Sequence, residues 1–546
     1  MIRRLFRVPT HWLTLLIALA VFATPLAVQT VRAEVGEAEP LPQRWITSDH
    51  SKHDVLKQEF KSGPEVTKAC LSCHTEAATQ FMQTIHWTWL APRAPKEAKL
   101  GKAGLVVNNF CVAMPSNEPR CTSCHAGYGF KDKNFDFTDQ TKVDCLVCHD
   151  QTGTYVKFPA GAGNPVSEPT VFKGNGKTYN PPDWNKVAQS VGRPTRKNCG
   201  VCHFFGGGGD GVKHGDLDSS MGMPDHELDI HMDIKGPNFN CTRCHSTVVH
   251  KIAGRAYKYP ATEKHISLLE DDLVSRISCV SCHTEKPHKP GFKANDHTDK
   301  VACQSCHIPA FARKRPTKMS WDWSTAGQMN DKGKPFVKKG PYDHAEYDSM
   351  KGNFVWKKDV TPEYFWFNGS IENVMATTKI DPSKPVVLTK IMGDRSDPKA
   401  RIYPFKVHRG KTPYDKGNNT MVVPKLFGKK EDGAYWGGWD WNKSIKAGMD
   451  YVGLPYSGEY GFVETEYVFP ITHMVAPEEK ALSCEACHSK QSRLANLGGF
   501  YMPGRDANSA LNWIGMLGVF GALIGVSLHG IGRIMTRNNK TGKAKE

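Results

Sequence analysis

Two apolar segments near the ends of the chain dominate its pattern of hydrophobic and polar positions. The first runs from Trp12 to Val28 behind an arginine-rich start and ends in the small-residue pattern Val31-Arg32-Ala33. This pattern predicts a secretory signal peptide over residues 1–33. An uncleaved N-terminal anchor is the alternative, because the apolar run is long and Pro25 interrupts it. Either interpretation exports the rest of the chain.

The second apolar segment runs for eighteen residues without a charge, from Leu511 to Leu528, and a basic tail follows it. It predicts one transmembrane helix over residues 508–532. Because positively charged flanks stay on the cytoplasmic side of a membrane, residues 533–546 are expected in the cytoplasm. Residues 34–507 are then expected in the periplasm, tethered to the inner membrane of a bacterium.

The chain between these segments shows little regular periodicity. One readable helix starts at Pro477 and stops at Gly498-Gly499. Residues 308–483 have no clean period of 2 or 3.6 and are expected to wrap other parts of the protein, with a separate small domain of some strand content as the alternative. The 49 Gly and 35 Pro indicate many turns and few long regular elements. The expected fold is mainly α, with extensive loops and little β. Residues 308–483 form an aromatic-rich region, whose tryptophans are Trp321, Trp323, Trp356, Trp366, Trp436, Trp439 and Trp441.

Sixteen of the seventeen cysteines fall into eight copies of Cys-x-x-Cys-His, where this composition would give roughly 0.02 by chance. Two cysteines three residues apart reach the two vinyl groups of one haem as thioethers, and the adjacent His is thereby placed under the iron. Zinc knuckles or redox dithiols would not need a His after every second Cys. The pattern therefore predicts eight covalently bound haem c groups and a multihaem cytochrome c fold packed around them. The attaching cysteines are Cys70, Cys73, Cys121, Cys124, Cys145, Cys148, Cys199, Cys202, Cys241, Cys244, Cys279, Cys282, Cys303, Cys306, Cys484 and Cys487, and the proximal ligands are His74, His125, His149, His203, His245, His283, His307 and His488.

A low-spin haem also needs a second axial ligand, and thirteen histidines remain outside the motifs and the two apolar ends. Local context favours seven of them, with His226 and His265 as close substitutes; a surface or core histidine is the alternative for each. The seven expected distal ligands are His86, His231, His250, His288, His297, His408 and His473.

The formal net charge of +16 would ordinarily indicate a nucleic-acid or membrane-surface partner. Eight haems change that inference, because their sixteen propionates could offset the whole excess. The lysines and arginines are then expected as propionate partners, and no nucleic-acid partner is expected.

Two features outside the motifs could build a catalytic site. Cys111, in Asn108-Asn109-Phe110-Cys111, is the one cysteine that no motif uses; it is either a buried inert thiol or a reactive one. The second feature is the run GGGGDGVKHGD from Gly206, which is either a flexible surface loop or backbone that approaches a flat ring closely and brings Asp and Lys beside it.

These features together resemble the octahaem tetrathionate reductase family of periplasmic c-type cytochromes. VACQSCHIPAFAR from Val301 and GGFYMPGRD from Gly498 add to the resemblance, which covers about residues 45–507. The family implies one catalytic haem with a lysine in place of the second histidine, inside a cationic cavity. Carried onto the matching positions, Lys213 is that ligand, for the haem on Cys121, Cys124 and His125. Asp210, Cys111 and Asn108 complete the implied site.

The resemblance implies a multi-electron reductase of small sulfur and nitrogen oxyanions, with tetrathionate, nitrite or hydroxylamine as the small substrate. A quinol-oxidising membrane protein or another cytochrome is the expected electron donor. Two alternatives stay open. One is a non-catalytic electron conduit from the quinol pool. The other is an oxidative enzyme resembling hydroxylamine oxidoreductase, which would call for a haem-linked tyrosine that no motif singles out.

Overall fold

Short helices separated by long loops build the part of the chain that carries the first seven motifs. The computed structural model describes residues 48–91, 96–254 and 278–542. The expected signal peptide, residues 1–33, lies outside the described residues. The α-helices are α1 Gly63–Leu71, α2 Ala77–Phe81, α3 Ile85–Thr88, α4 Glu118–Cys121, α5 Leu146–His149, α6 Trp184–Gln189, α7 Arg196–His203, α8 Cys241–Cys244, α9 Cys303–His307, α10 Tyr435–Gly438, α11 Trp441–Val452 and α12 Ser509–Gly542.

The first and fourth motifs lie at the C-terminal ends of α1 and α7, and the other six lie on single turns of α- or 3₁₀-helix. A turn is sufficient because the two cysteines stand three residues apart and so project from the same side. The eighth motif corrects one prediction: the expected helix from Pro477 is replaced by two separate 3₁₀ turns, Glu478–Lys480 and Cys484–Ala486. Ser483, which precedes the second turn, is extended with ψ 160°, so the helix is interrupted before the motif begins.

The aromatic-rich region forms a nine-stranded sheet. The strands of the described residues are β1 Thr170–Phe172, β2 Lys177–Tyr179, β3 Thr247–Val248, β4 Lys251–Ile252, β5 Thr317–Asp322, β6 Val337–Lys339, β7 Ala345–Asp348, β8 Gly352–Lys357, β9 Glu363–Phe367, β10 Ile371–Asn373, β11 Val386–Val387, β12 Thr389–Ile391, β13 Arg401–Asp415, β14 Thr420–Met421 and β15 Tyr460–Pro470. The order along the nine-stranded sheet is β11-β15-β13-β5-β8-β7-β6, and β9 and β14 also pair with β13.

This sheet overturns the expectation of little β structure. The chain is 28% helical and 18% strand, so a mainly α fold is not confirmed. The sequence shows no strand pattern here because β13 and β15 are buried on both faces along much of their length, which removes the alternation of polar and apolar residues.

Helix α11 covers one face of the sheet, and its ends follow ordinary capping rules. Asp440 accepts a hydrogen bond from the backbone N–H of Lys443, and Gly453 ends the helix in the left-handed region at φ 71°. Its buried face repeats at helical spacing through Trp441, Ile445 and Met449. These side chains join the largest apolar cluster, which also includes residues of β5, β8 and β15.

The C-terminal helix α12 extends past the expected boundary at residue 532. Its segment Ser509–Arg537 is long and apolar enough to cross a membrane, with a mean hydropathy of 1.9, and none of that window is buried in the protein. The helix therefore offers a possible membrane anchor.

Candidate functional site

Six motif histidines each face a second histidine across a constant gap. An iron atom held between two imidazole nitrogens at about 2.0 Å each separates the ring centres by about 6.3 Å. The observed separations are 6.1–6.3 Å. The residues present therefore fit haem iron. The pairs are His50–His74, His86–His203, His231–His283, His245–His473, His288–His307 and His297–His488.

Five of the seven expected distal histidines thus stand opposite a motif histidine: His86, His231, His288, His297 and His473. His250 lies close enough to His149 for the charge of that ring to lower the pKa of His250, after burial. It is the candidate partner of His149.

Two distal positions differ from expectation. His50 faces His74 although it is not among the seven expected ligands; it precedes the first motif, and no local pattern in the sequence marks it. His408 stays a predicted distal ligand for which the described ring contacts show no motif histidine opposite. Its ring stacks on Phe110 at 4.2 Å, and among the described residues no motif histidine is in ring contact with it.

Hydrogen bonds at Nδ1 hold several of the paired rings in place. Asp216 lies 3.1 Å from Nδ1 of His473 and also accepts the backbone N–H of Thr472 and of His473. The carboxylate raises the pKa of His473 against the effect of burial. Such a partner fixes the tautomer and makes the free nitrogen a stronger ligand.

Thiols of different motifs also meet, which links the motifs into a chain. The thiols of Cys70 and Cys145, Cys124 and Cys202, Cys199 and Cys241, and Cys279 and Cys303 lie close enough to shift each other's pKa. The charge of Cys282 also raises the pKa of Cys244, and that of Cys487 raises the pKa of Cys306, in both cases after burial. The third motif joins the fourth through Cys148 and Cys202. The eight motifs therefore form one connected series, with the second as a branch from the fourth.

His125 is the exception among the motif histidines. Its ring is fully buried between Trp87 and Trp89 and close to three phenylalanines, and no other histidine is among its described ring or charge neighbours. Its Nε2 contacts the backbone oxygen of Trp87 at 2.6 Å, whereas Nδ1 has no partner. In His149 and His245, Nδ1 makes the backbone contact and leaves Nε2 for iron. In His125 the nitrogen left without a partner is therefore Nδ1.

The loop from Gly206 brings Lys213 towards the second motif. Gly207 and Gly208 have φ 80° and 94°, and this turn lets the Lys213 side chain pack onto Gly206 and Gly207. The Lys213 ammonium lies 5.3 Å from the Phe469 ring, and the residue is half-buried; loss of water around the ammonium lowers its pKa to about 8. The charges of Lys102 and of Cys124, a cysteine of the second motif, act on it.

Lys406 fastens this loop to the sheet. It is fully buried on β13, and its ammonium donates to the carbonyl oxygens of Val212 at 2.8 Å and Lys213 at 3.1 Å. The third donor goes to Oγ1 of Thr317 at 2.6 Å, and that hydroxyl donates in turn to the carbonyl of Gly211. Three acceptors match the three donors of an ammonium.

The Asn108–Cys111 turn is held by Asn108 itself. Its Oδ1 accepts the backbone N–H groups of Phe110 and Cys111, and its Nδ2 donates to the carbonyl of Val112. Asn108 therefore shapes the turn that presents Cys111. Burial raises the pKa of the Cys111 thiol, while four cationic side chains oppose that rise. They are Arg120, Lys351, Lys318 and Lys102.

Lys318 is the most unusual of these cations. Its ammonium lies 3.4 Å from the ring centre of Phe354, 4.0 Å from that of Trp321 and 5.2 Å from that of Trp356. A shift in strand register between Lys318 and Ser320 places it on the same side of β5 as Trp321. Burial lowers the pKa of Lys318 well below its usual value. Cation–π contacts with three rings partly replace the water it has lost.

Comparison with known proteins now decides the family. A crystal structure of an octahaem cytochrome c from Shewanella oneidensis is 48% identical, with a TM-score of 0.71, over 82% of this chain and 95% of that one. This chain belongs to the octahaem c-type cytochromes. The resemblance to the octahaem tetrathionate reductase family is thereby confirmed.

Other matches to this octahaem cytochrome cover parts of it. The family "Cytochrome c bacterial" matches residues 318–491, "Cytochrome c7 and related cytochrome c" matches 225–315, and "Cytochrome c554 and c-prime" matches 69–150. An uncharacterized protein of Archaeoglobus fulgidus is 25% identical over 256 residues, covering 40% of this chain and 83% of its own length. Together they support covalently bound haem c and a general role in electron transfer.

The structure places the four expected site residues unequally around the second motif of the octahaem cytochrome. Lys213 interacts electrostatically with Cys124, and Cys111 with Cys121. Asn108 accepts a hydrogen bond from the backbone N–H of Cys111. Asp210 is occupied elsewhere: it accepts the backbone N–H of Ser219 at 2.8 Å and the hydroxyl of Ser219 at 2.5 Å. It anchors the turn Ser219–Gly222.

Sequence reasoning missed the cations that surround Cys111. Lys318 is one of these cations, and Lys406 holds the loop that carries Lys213. Both come from the sheet, more than 100 residues from Lys213 along the sequence, and no motif marks them. Asp216 is the last residue of the GGGGDGVKHGD run, but the sequence alone assigns it no role. Its role on His473 depends on a contact across 257 positions.

Proposed function

We propose that this octahaem cytochrome is a multi-electron reductase of small sulfur and nitrogen oxyanions. The observation that carries the proposal is the exception at His125. Seven motif histidines have a histidine nearby, whereas His125 is left without one in the described residues. The half-buried Lys213 and the thiol of Cys111 each interact with a cysteine of the same motif. An electron wire needs no such site.

The proposed cofactor complement is eight haem c groups, held by the sixteen motif cysteines and their histidines. When bound, the haems supply and store the electrons that such reductions consume. The protein's own side chains do the rest. The buried cations attract a small anion and replace its water with fixed charges. Lys318 in particular gains a counter-ion that its aromatic neighbours do not provide.

Cys111 has a role that only a sulfur substrate would use. Burial raises the pKa of this thiol and the four cations oppose the rise; once the thiol has lost its proton, the thiolate attacks one of the two central sulfurs of tetrathionate. The central S–S bond breaks, thiosulfate leaves with the electron pair, and Cys111 retains an S–S–SO₃⁻ group. Two electrons then cleave the new S–S bond, which releases a second thiosulfate and regenerates the thiolate.

The proposed location is the periplasmic side of the inner membrane, with α12 as the anchor. The eighth motif lies close to this anchor in sequence, and Nδ1 of His488 contacts the backbone oxygen of Pro503 at 3.1 Å. The motif series ends there. We therefore propose that a quinol-oxidising membrane protein or another cytochrome delivers electrons at this end.

The substitution Lys213→Leu tests the proposal. We expect a high-spin haem signal in the absorption and electron paramagnetic resonance spectra, because the second motif loses its lysine ligand. A lysine that leaves the iron to admit the substrate takes up a proton and then pairs with the anion, so its loss costs about tenfold or more in kcat/KM with tetrathionate, nitrite or hydroxylamine. The exposed Lys235, changed to Leu, is the matched control.

A second substitution, Cys111→Ser, separates the substrate classes. It should abolish most tetrathionate reduction and spare nitrite reduction, since only the sulfur substrate exchanges with a thiol. Equal losses on both substrates would show that Cys111 serves packing alone.

A non-catalytic conduit is the second candidate, favoured by the unbroken series of motifs from the first to the eighth. The conduit predicts that Lys213→Leu changes neither the spectrum nor any of the three activities. That result would overturn the reductase proposal.

A further inference from the structure

His408 is a buried histidine that has no role in the proposed reduction as described above. It lies in the middle of β13, has no exposed surface, and stacks on Phe110, the neighbour of Cys111. Lys406 lies two residues away on the same strand, and burial, followed by the charges of Lys406 and Lys318, lowers the pKa of His408.

Hydrogen bonds with Asn109 fix the tautomer of His408. The Nδ2 of Asn109 donates to the backbone oxygens of His408 at 2.8 Å and Thr465 at 3.3 Å. This orientation leaves Oδ1 of Asn109 facing Nδ1 of His408 at 2.9 Å. An amide oxygen only accepts, so Nδ1 must carry the hydrogen. In the neutral ring, Nε2 then presents a lone pair.

That Nε2 is buried and has no hydrogen-bond partner. A buried acceptor without a partner costs free energy, so such an atom indicates a missing ligand. The nearby ammonium groups do not supply one. Lys406 directs its three donors at Val212, Lys213 and Thr317, and Lys318 lies against aromatic rings.

We propose that Nε2 of His408 accepts a hydrogen bond from the substrate and makes His408 a specificity-determining residue. The inference rests on the proposed reductase function and narrows its substrate class. A lone pair repels the oxygens of nitrite and tetrathionate, which are acceptors only at neutral pH. It attracts a small molecule with an N–H or O–H group, and hydroxylamine has both.

The test uses the full holoprotein with a chemical electron donor and compares kcat/KM for hydroxylamine with kcat/KM for nitrite. In His408→Phe the ring shape remains but the lone pair is lost. We expect the hydroxylamine-to-nitrite ratio to fall about tenfold, which corresponds to the loss of about 1.4 kcal/mol, one hydrogen bond. His408→Gln offers an amide oxygen near the same position and should restore the ratio to within about threefold of wild type. The surface histidine His226, changed to Phe, is the control.

Asn109→Asp keeps the imidazole and tests the same inference if His408→Phe fails to assemble with its haems. A carboxylate at Nδ1 favours the doubly protonated ring, which turns Nε2 from an acceptor into a donor. The hydroxylamine-to-nitrite ratio should again fall.

Three results would overturn the inference. The first is an unchanged ratio in both His408→Phe and Asn109→Asp. The second is a ratio that His408→Gln does not restore. The third is a new high-spin haem signal in His408→Phe, which would make His408 an iron ligand. Failure of the proposed function itself is distinct, because wild-type protein would then reduce none of the three substrates.

Discussion

Replacement of Lys406 by methionine should both destabilise the protein and loosen the loop that carries Lys213. The substitution keeps the length of the side chain and removes the ammonium. The carbonyl oxygens of Val212 and Lys213 and the hydroxyl of Thr317 then lose their shared donor in a site that water does not reach.

The magnitude follows from two opposing effects. Each buried acceptor left without a partner costs about 1–3 kcal/mol, so three of them cost about 3–9 kcal/mol. Against this, the methionine avoids the several kcal/mol required to bury an ammonium. We expect the loss to be the larger effect, with a net decrease of about 3 kcal/mol in the free energy of unfolding.

Thermal unfolding of the holoprotein, followed by circular dichroism, measures the loss of stability. Hydrogen exchange across residues 206–216 reports on the loop itself. We expect Lys406→Met to speed exchange there, relative to wild type, more than in other regions. The exposed Lys399, changed to Met, is the control for a lost surface charge. Equal or greater stability of Lys406→Met, with unchanged exchange in the loop, would refute the reasoning.

Three further predictions concern the cofactors, the anchor and the anion site. A pyridine haemochrome assay should give eight haems per mature chain, and a ratio of seven or fewer would show that one motif is idle. The full-length protein should resist extraction from membranes by salt, whereas a chain ending at Asp506 should be released as soluble protein; release of the full-length chain by salt would remove α12 as the anchor. Because burial lowers the pKa of Lys318 well below its usual 10.5, anion affinity should be highest at low pH, where Lys318 is protonated, and fall as pH rises through the lowered pKa. Lys318→Gln should flatten this pH dependence of nitrite KM, and an equal slope in the variant would assign it to another group.

The covalent chemistry could be predicted from the sequence because haem attachment is encoded locally. Each motif places two cysteines and a histidine within five positions, and no long-range contact is needed to recognise it. The distal ligands depend on folding. Five expected histidines stand opposite motif histidines, but His50 precedes its motif and His408 belongs to the sheet. Histidine alone does not reveal which ring it will face.

The sheet and the cation cluster were harder to predict for a different reason. Strands buried on both faces lose the alternation that identifies them, and this hid β13 and β15. The lysine at position 318 shares a face with Trp321 only because the register shifts between Lys318 and Ser320. Such a shift leaves no mark in the sequence.

The contacts between thiols of different motifs constrain the order in which this protein can be made. The thiols of Cys70 and Cys145, Cys124 and Cys202, Cys199 and Cys241, and Cys279 and Cys303 lie close enough to shift each other's pKa. In an oxidising compartment, two bare thiols held this close are poised to form a disulfide, which would withdraw both from thioether formation. Attachment of the haems must therefore come before the motifs pack together, or a reductant must protect the thiols until it does. Biogenesis is thus expected to proceed on an extended chain, and folding that runs ahead of it would trap the apoprotein in crosslinked, haem-poor forms.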